Sequence, residues 1–275
     1  MIFGIVGLGL MGGSFAKALK KYNISSKIIG YDLSIKHQNE AINLNLVDEI
    51  CTIDELKVCD VIILSIPVDA IISFLPKLIG CKSTTTIIDF GSTKKLIVQN
   101  IPNELQSNYI PAHPMTGTEK FGPSAAIVGL YENKTMVLCD IEKCDELHKI
   151  KAIDIFSKIK MNLTFMNSSE HDIHACYISH LPHVLSFSLA NTVMSHEDPN
   201  NIVSLAAGGF KDMSRIAKSS PDMWTDVFRQ NKDNLLESIS LYEDQLSVMK
   251  NMIKDENYDE LYLLIKKANT LHNIL

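Results

Sequence analysis

Short, continuous apolar runs recur along residues 1–166, and segments with helical periodicity lie between them. Runs that are continuous rather than alternating are typical of strands that a parallel sheet buries on both faces. Strands that alternate with helices indicate βαβ units. We therefore predict an α/β N-terminal domain with a doubly wound, Rossmann-type, mostly parallel sheet. The predicted strands are IFGIVG, SKIIGYD, DVIILSIP, STTTIIDFG, NYIPAHP and KTMVLCD.

The strand pattern disappears after this domain. The stretch SSEHDIHACYISHLPHVLSFSLANTVMSH predicts a long helix whose N-cap is Ser168 or Ser169. A second helix of roughly 30 residues is predicted to begin with Ser220 as its cap and Pro221 in its first position. Residues 167–275 are therefore expected to form an all-helical domain. Long amphipathic helices in so small a domain favour burial against a second copy, hence a homodimer, although packing on the α/β domain stays an alternative.

Composition excludes several classes of partner. A net charge of −6, with 21% charged residues, gives no support for a nucleic-acid footprint, which needs a basic face. No apolar run reaches the roughly 18 residues of a membrane span, and the N-terminal stretch MIFGIVGLGL lacks the basic region of a secretion signal. None of the six cysteines lies in a CxxC pair, so we expect reduced thiols in a cytoplasmic protein.

A glycine-rich segment, GIVGLGLMGGS, follows the first predicted strand and opens a helix. In this context Gly7 permits a tight turn, Gly9 admits a pyrophosphate, and Gly12 lets the helix pack closely on the strand. Asp32 ends the second strand, at the spacing of about 20 residues expected for a carboxylate that binds the adenosine ribose, which favours NAD over NADP. The segment SIPVD is expected to line the other side of the dinucleotide. The predicted cofactor-binding residues are Gly7, Gly9, Leu10, Met11, Gly12, Asp32, Ser65 and Pro67.

Hydride transfer to NAD usually needs a base, and the α/β domain has three histidines. His148 lies in a charged helical stretch and is expected to be solvated, whereas His37 follows the ribose-binding turn. His113 alone ends a predicted strand, at the edge where doubly wound sheets bind ligands. Imidazole suits proton transfer near neutral pH. Ser92 also follows a strand, and we predict that it orients His113 by a hydrogen bond.

Several motifs together carry a resemblance to a known family. GLGLMGGS, DFGSTK, AHPMTGTEKFGP, LYENK, SHLPH and GGFKDMSRIA followed by DMW occur in this order over nearly the whole chain. In this order and at these spacings the chain resembles the prephenate dehydrogenases of tyrosine biosynthesis. The resemblance implies that NAD takes a hydride from the carbinol carbon of prephenate while a histidine removes the hydroxyl proton. Loss of the ring carboxylate as CO2 then gives 4-hydroxyphenylpyruvate.

The resemblance also assigns residues to the site. It makes His113 the base and Ser92 its orienting serine, and it places His171 behind them. It implies that Arg215 binds a substrate carboxylate, which agrees with the planar fork that arginine offers. Arg229, the other arginine of the helical region, is expected to be a solvated surface group. The further substrate-binding residues that the resemblance implies are His183, Thr118, Glu119, Trp224 and Asp212.

Alternative functions differ from this one in the residues that they require. His180 and His183 are three residues apart, as metal ligands on a helix are, but no further ligands with suitable spacing accompany them, so no metal is expected. Dehydrogenases of the β-hydroxyacid type use a lysine on the inter-domain helix, and DIHACYISHLPHVLSFSLAN contains none. A protein that only binds NAD has no need for Ser92, His113 and Arg215 together. Arogenate dehydrogenase, which acts on the amino-acid analogue of prephenate, stays open.

Overall fold

A computed structural model describes residues 1–274 and contains one sheet of eight strands, in the order β3-β2-β1-β4-β5-β6-β7-β8. Strands β1 to β6 are parallel, β7 runs antiparallel to β6, and β8 is parallel to β7. The predicted fold class is thereby confirmed. The strands are β1 (Ile2–Val6), β2 (Lys27–Tyr31), β3 (Glu49–Ile50), β4 (Val61–Leu64), β5 (Thr86–Asp89), β6 (Tyr109–Pro114), β7 (Thr135–Cys139) and β8 (Asn162–Met166).

Two of these strands were not predicted, and both lack a continuous apolar run. The β3 strand has two residues only. The β8 strand, NLTFM, lies at the edge of the sheet and is partly exposed along its length. An edge strand needs no apolar face on both sides, so its sequence carries a weaker strand signal.

Alternate residues of the central strands enter two separate cores. In β4, Val61 and Ile63 pack into the core that contains Phe15 and Phe156, whereas Ile62 and Leu64 face the opposite side. This alternation is what the pleat of a strand imposes, and it explains why β4 is apolar at every position. The helices of this region are α1 (Leu10–Lys21), α2 (Ile35–Asn43), α3 (Ile53–Leu56), α4 (Val68–Phe74), α5 (Lys95–Gln99) and α6 (Glu146–Lys158).

The first long helix predicted after the sheet is divided into α7 (Ser168–Ala175), a π-helical turn (Cys176–His180) and α8 (Leu181–His196). Its N-cap is Asn167, not Ser168 or Ser169, because Asn167 and Glu170 form a reciprocal capping box. A proline near the start of α8 has no N–H to continue the ladder, which accounts for the interruption. The shorter helices α9 (Pro199–Leu205), α10 (Gly208–Ser214) and α11 (Pro221–Gln230) follow.

Ser220 caps α11 with Pro221 in the first turn, as predicted. The predicted helix of roughly 30 residues is two helices, because α11 ends at Gln230 and α12 (Lys232–Lys254) follows one non-helical residue. The chain divides at the same place into two compact units, the first being Met1–Asn231. The second contains α12 and α13 (Tyr258–Asn269). No helix in the described part of the chain combines the length and apolar character that crossing a membrane requires.

Candidate active site

The glycine-rich turn joins β1 to α1 and is tight at two of its three glycines. Gly7 has φ +90°, and a Cβ there would lie 2.5 Å from the Ser65 carbonyl oxygen. A Cβ on Gly12 would lie 2.0 Å from the Gly7 carbonyl oxygen. Gly9, the N-cap of α1, is open, with its nearest neighbour atom 4.0 Å from the Cβ position. Backbone atoms therefore pack too closely at Gly7 and Gly12 for any side chain. At Gly9 the turn leaves space where a pyrophosphate would approach the helix N-terminus.

Residues from two neighbouring strands support this turn. The Ser65 hydroxyl, after β4, donates to the Gly7 carbonyl at 2.7 Å. The Asp32 carboxylate, after β2, accepts the backbone N–H groups of Leu8 at 2.9 Å and Ser34 at 2.8 Å. Because β2, β1 and β4 are adjacent in the sheet, their carboxyl ends bring the predicted cofactor residues together. Of the others, Leu10 is buried, Met11 is half-buried and Pro67 is exposed at the start of α4.

His113 lies near the end of β6, at this same edge of the sheet, and is half-buried. Its Nδ1 is 2.8 Å from Nε2 of His171, on α7. Within the described residues, the hydrogen bond predicted from Ser92 to His113 is not found, and the Nδ1 of His113 is bonded by His171 instead. The role of Ser92 therefore stays a prediction. The contact with His171 joins residues 58 positions apart, and no local pattern marks it.

Asp172 continues the series from His113 to His171. Its Oδ1 lies 2.8 Å from Nδ1 of His171, and its carboxylate also accepts the backbone N–H groups of Lys94 at 2.7 Å and Lys95 at 2.9 Å. These two amides lie at the start of α5. Sequence analysis did not identify Asp172, which is almost fully buried.

The electrostatics around His113 favour its neutral form. Burial lowers the pKa of His113 well below its usual range, and electrostatic repulsion from the neighbouring Lys94, His171 and His180 lowers it further. Lys94 is itself fully buried: it pairs with Asp89 and donates to the Ala112 carbonyl at 2.7 Å. A neutral imidazole has a nitrogen lone pair and is able to accept a proton, which is the property that a general base needs.

A second group of rings lies beside this series. The imidazole of His183 stacks on the indole of Trp224, and its Nδ1 donates to the Ser179 carbonyl at 2.9 Å. Burial lowers the pKa of His183, and the nearby charge of Arg215 adds to this effect. His180 is buried edge-on to Trp224, and burial lowers its pKa to about 4. Arg215 is thus electrostatically close to His183, which stacks on Trp224.

The remaining predicted substrate residues are more exposed. Thr118 is exposed and accepts the Lys120 N–H at 3.2 Å, and Glu119 is half-buried. Asp212 on α10 and Arg215 just after it are both exposed, and no ion pair joins them in the part of the chain that the structure describes. The structure thus brings His183, Trp224 and Arg215 together, whereas no contact of Thr118, Glu119 or Asp212 with them is found among residues 1–274.

One prediction of a solvated side chain is wrong. His148 is fully buried, and its ring bonds the Thr86 hydroxyl at 2.7 Å and the Ser83 carbonyl at 3.0 Å, because α6 packs on the sheet. Arg229 is exposed, as predicted, and is paired with Asp69 and Asp226. No cluster of metal-ligating side chains is found among residues 1–274.

Comparisons with known proteins agree with this geometry. The family described as "Prephenate dehydrogenase, nucleotide-binding domain" matches residues 15–164, and "Prephenate dehydrogenase, dimerization domain" matches residues 167–267. A prephenate dehydrogenase of Bacillus subtilis is 32% identical over an alignment of 271 residues that covers 96% of this chain and 73% of that protein.

Two solved structures are similar over 99% of this chain. Prephenate dehydrogenase from Aquifex aeolicus, in complex with hydroxyphenyl propionate and NAD+, is 33% identical with a TM-score of 0.92 and is covered to 97%. Synechocystis arogenate dehydrogenase is 27% identical with a TM-score of 0.82 and is covered to 99%. The similarity therefore extends across both the sheet and the helices that follow it.

Proposed function

This chain belongs to the prephenate dehydrogenase family, and on that basis we propose that it converts prephenate to 4-hydroxyphenylpyruvate and CO2 while reducing NAD. One observation carries the proposal. A histidine kept neutral by burial, His113, lies at the sheet edge that also holds the glycine turn and Asp32. This is the juxtaposition that removal of a proton and a hydride from one carbinol group requires.

Gly7, Gly9, Gly12 and Asp32 would hold the dinucleotide. The open space at Gly9 accommodates phosphate against the N-terminus of α1, and the carboxylate of Asp32 offers acceptors to ribose hydroxyls. A 2′-phosphate would be repelled by that carboxylate, so NAD is preferred over NADP. Bound NAD supplies the hydride acceptor. Ser65 holds the turn in shape, and Leu10, Met11 and Pro67 complete the proposed contact surface.

His113 accepts the hydroxyl proton as the hydride leaves the same carbon, which turns the carbinol into a carbonyl. The ring carboxylate then leaves as CO2, and the electrons of its bond to the ring complete the aromatic system. His113 returns the proton to the resulting phenolate oxygen. The balance is one hydride transferred and one CO2 released, with no net proton.

Arg215 anchors a carboxylate of the substrate, because its guanidinium offers paired donors and its charge is permanent. His183 and Trp224 form an aromatic wall for the substrate ring. Thr118, Glu119 and Asp212 are proposed to close the pocket, and Ser92 to bond the reacting hydroxyl and orient it toward His113. These roles are supported by the positions of the matching motifs in the sequence.

Arogenate is the alternative substrate, because one similar structure is an arogenate dehydrogenase. We also propose a homodimer formed through the helical region from residue 167 onward. The dimerization-domain match supports this assembly, as do exposed apolar side chains on the last two helices. A cytoplasmic location is supported by free cysteines, most of them buried. The exposed apolar residues include Leu236, Leu241, Leu246, Ile253, Tyr262 and Leu263.

The proposal is tested by measuring NADH or NADPH formation with prephenate and with arogenate, each with NAD and with NADP. Turnover with prephenate and NAD is the expected result, and no turnover with either substrate would refute the proposed activity. His113→Asn should lower kcat about 100-fold or more and leave NAD affinity within threefold, since the base acts in the transition state. Arg215→Gln should instead raise KM about tenfold or more.

A further inference from the structure

We propose that Asp172 is a positioning residue that fixes, through His171, the tautomer of His113, so that Nε2 of His113 accepts the proton of the substrate. This inference rests on the proposed function, because it takes His113 as the base. Its observation is a continuous series of two hydrogen bonds, each of 2.8 Å. Asp172 Oδ1 contacts Nδ1 of His171, and Nε2 of His171 contacts Nδ1 of His113.

The series begins at Asp172, whose two carboxylate oxygens face hydrogen-bond donors. Oδ1 accepts the Lys94 N–H as well as the ring N–H of His171, and Oδ2 accepts the Lys95 N–H. Backbone amides can only donate, so both oxygens of Asp172 act as acceptors toward them. Its partner nitrogen, Nδ1 of His171, must therefore carry a hydrogen.

That hydrogen determines the next two nitrogens. A neutral imidazole has one N–H and one lone pair, so His171 with its hydrogen on Nδ1 is an acceptor at Nε2. The group that it faces, Nδ1 of His113, must then be the donor. His113 consequently keeps its lone pair on Nε2. Within the described residues Nε2 of His113 makes no hydrogen bond, so the basic nitrogen is left for a substrate.

The same series stabilises His113 after it takes the proton. The other charged or titratable groups that act on His113 are Lys94, at the start of α5, and His180, in the π-helical turn, and both oppose a positive charge. Asp172 is the anion linked to His113 by hydrogen bonds through His171. Asp172 and His171 are both about 98% buried. A buried hydrogen-bonded carboxylate is effective because solvent does not screen it.

The tautomers are observable without catalysis. Long-range proton–nitrogen NMR spectra of the ¹⁵N-histidine-labelled protein distinguish protonated from unprotonated ring nitrogens, and His113→Asn and His171→Phe identify the two signals. In the wild-type protein, both rings should carry hydrogen on Nδ1 and none on Nε2. In Asp172→Asn, the Nε2 tautomer of His113 should appear. A wild-type His113 with hydrogen on Nε2, or no change in Asp172→Asn, would overturn the proposal.

Kinetics provide the second test. Asp172→Asn should lower kcat about 100-fold or more while KM and NAD affinity stay within threefold, as expected when a base has the wrong tautomer. His171→Phe breaks the series but keeps the bonds of Asp172 to α5, so it should cause a similar loss. It also serves as the test if Asp172→Asn does not fold. Asp172→Asn combined with His171→Phe should lose no more than either alone.

Asp60→Asn is the matched control. Its carboxylate also accepts a backbone N–H, that of Ile2 at 2.7 Å. Asp60 precedes β4, so it lies at the edge of the sheet opposite to the active-site edge. It should keep wild-type kcat. A kcat within threefold of wild type in Asp172→Asn or in His171→Phe would refute the proposal that Asp172 positions His113. Failure of the proposed function is separate: it appears as no turnover by the wild-type protein, whereas the NMR result does not depend on turnover.

Discussion

The imidazole of His183 lies face to face with the indole of Trp224, with ring centroids 3.5 Å apart and planes 23° apart. Phe228 packs against the indole at 5.5 Å and fixes it from α11. The Ser179 carbonyl holds the imidazole through Nδ1. The two rings, from α8 and α11, therefore form a rigid wall next to Arg215 rather than two independent side chains.

Trp224→Leu should raise KM for prephenate by up to roughly tenfold, because a stacked aromatic pair contributes about 0.5–1.5 kcal/mol beyond its buried area. The chemistry at His113 is untouched, so kcat should stay within about threefold. Steady-state kinetics check both values. Trp224→Phe keeps an aromatic face and is the matched control, with a KM close to wild type. Equal KM values in all three proteins would remove the stack from the substrate site.

The glycine turn permits a sharper comparison. Gly12→Ala should destabilise the protein, because the new Cβ would lie 2.0 Å from the Gly7 carbonyl oxygen. Gly9→Ala has open space around its Cβ and should fold normally, yet it should bind NAD at least tenfold more weakly, since the methyl group meets the pyrophosphate. Thermal denaturation measures the first effect and isothermal titration calorimetry the second. A Gly9→Ala protein with wild-type NAD affinity would show that the phosphates bind elsewhere.

Local sequence patterns were sufficient for the glycine turn and for Asp32, because their geometry depends on a strand, a turn and a helix adjacent in sequence. They also predicted the position of His113, because the carboxyl ends of parallel strands all lie at the same edge of a sheet. Asp172 was missed for a physical reason: its amide partners lie on α5, and its neighbour His171 contacts His113 of β6, and only the tertiary fold brings α5 and β6 to α7. The same holds for His148: its charged neighbours in the sequence predicted a solvated side chain, whereas the fold buries it against β5.

Lys94 and Asp89 form a fully buried ion pair beneath the active-site edge of the sheet. Lys94→Met should destabilise the protein by about 3–5 kcal/mol, because it leaves the carboxylate buried without its cation. Denaturant unfolding measures the loss. Lys94→Met combined with Asp89→Asn removes both charges and should recover part of that stability. A double variant less stable than Lys94→Met would show that hydrogen bonds of Asp89, such as that from the Gly91 N–H at 2.8 Å, matter more than the uncompensated charge.

Buried histidines should make the fold sensitive to acid. The pKa of His180 is lowered by burial from 6.5 to about 4, with Asp172 raising it and His171 and His183 lowering it. Between pH 6.5 and 4, His180 is therefore protonated in the unfolded chain but neutral in the folded protein. Folding stability must fall as the pH falls through this window, and the contribution of His180 is on the order of 3 kcal/mol.

His180→Gln isolates this contribution, because glutamine does not titrate and is able to bond Asn231 in place of the imidazole, which contacts it at 3.1 Å. Denaturant unfolding at pH 7 and at pH 4.5 should show a smaller loss of stability for this variant than for the wild-type protein. His196→Gln, on the exposed last turn of α8, is the control and should lose as much stability as wild type. An equal loss in His180→Gln and wild type would mean that the pKa of His180 is the same in the folded and the unfolded protein.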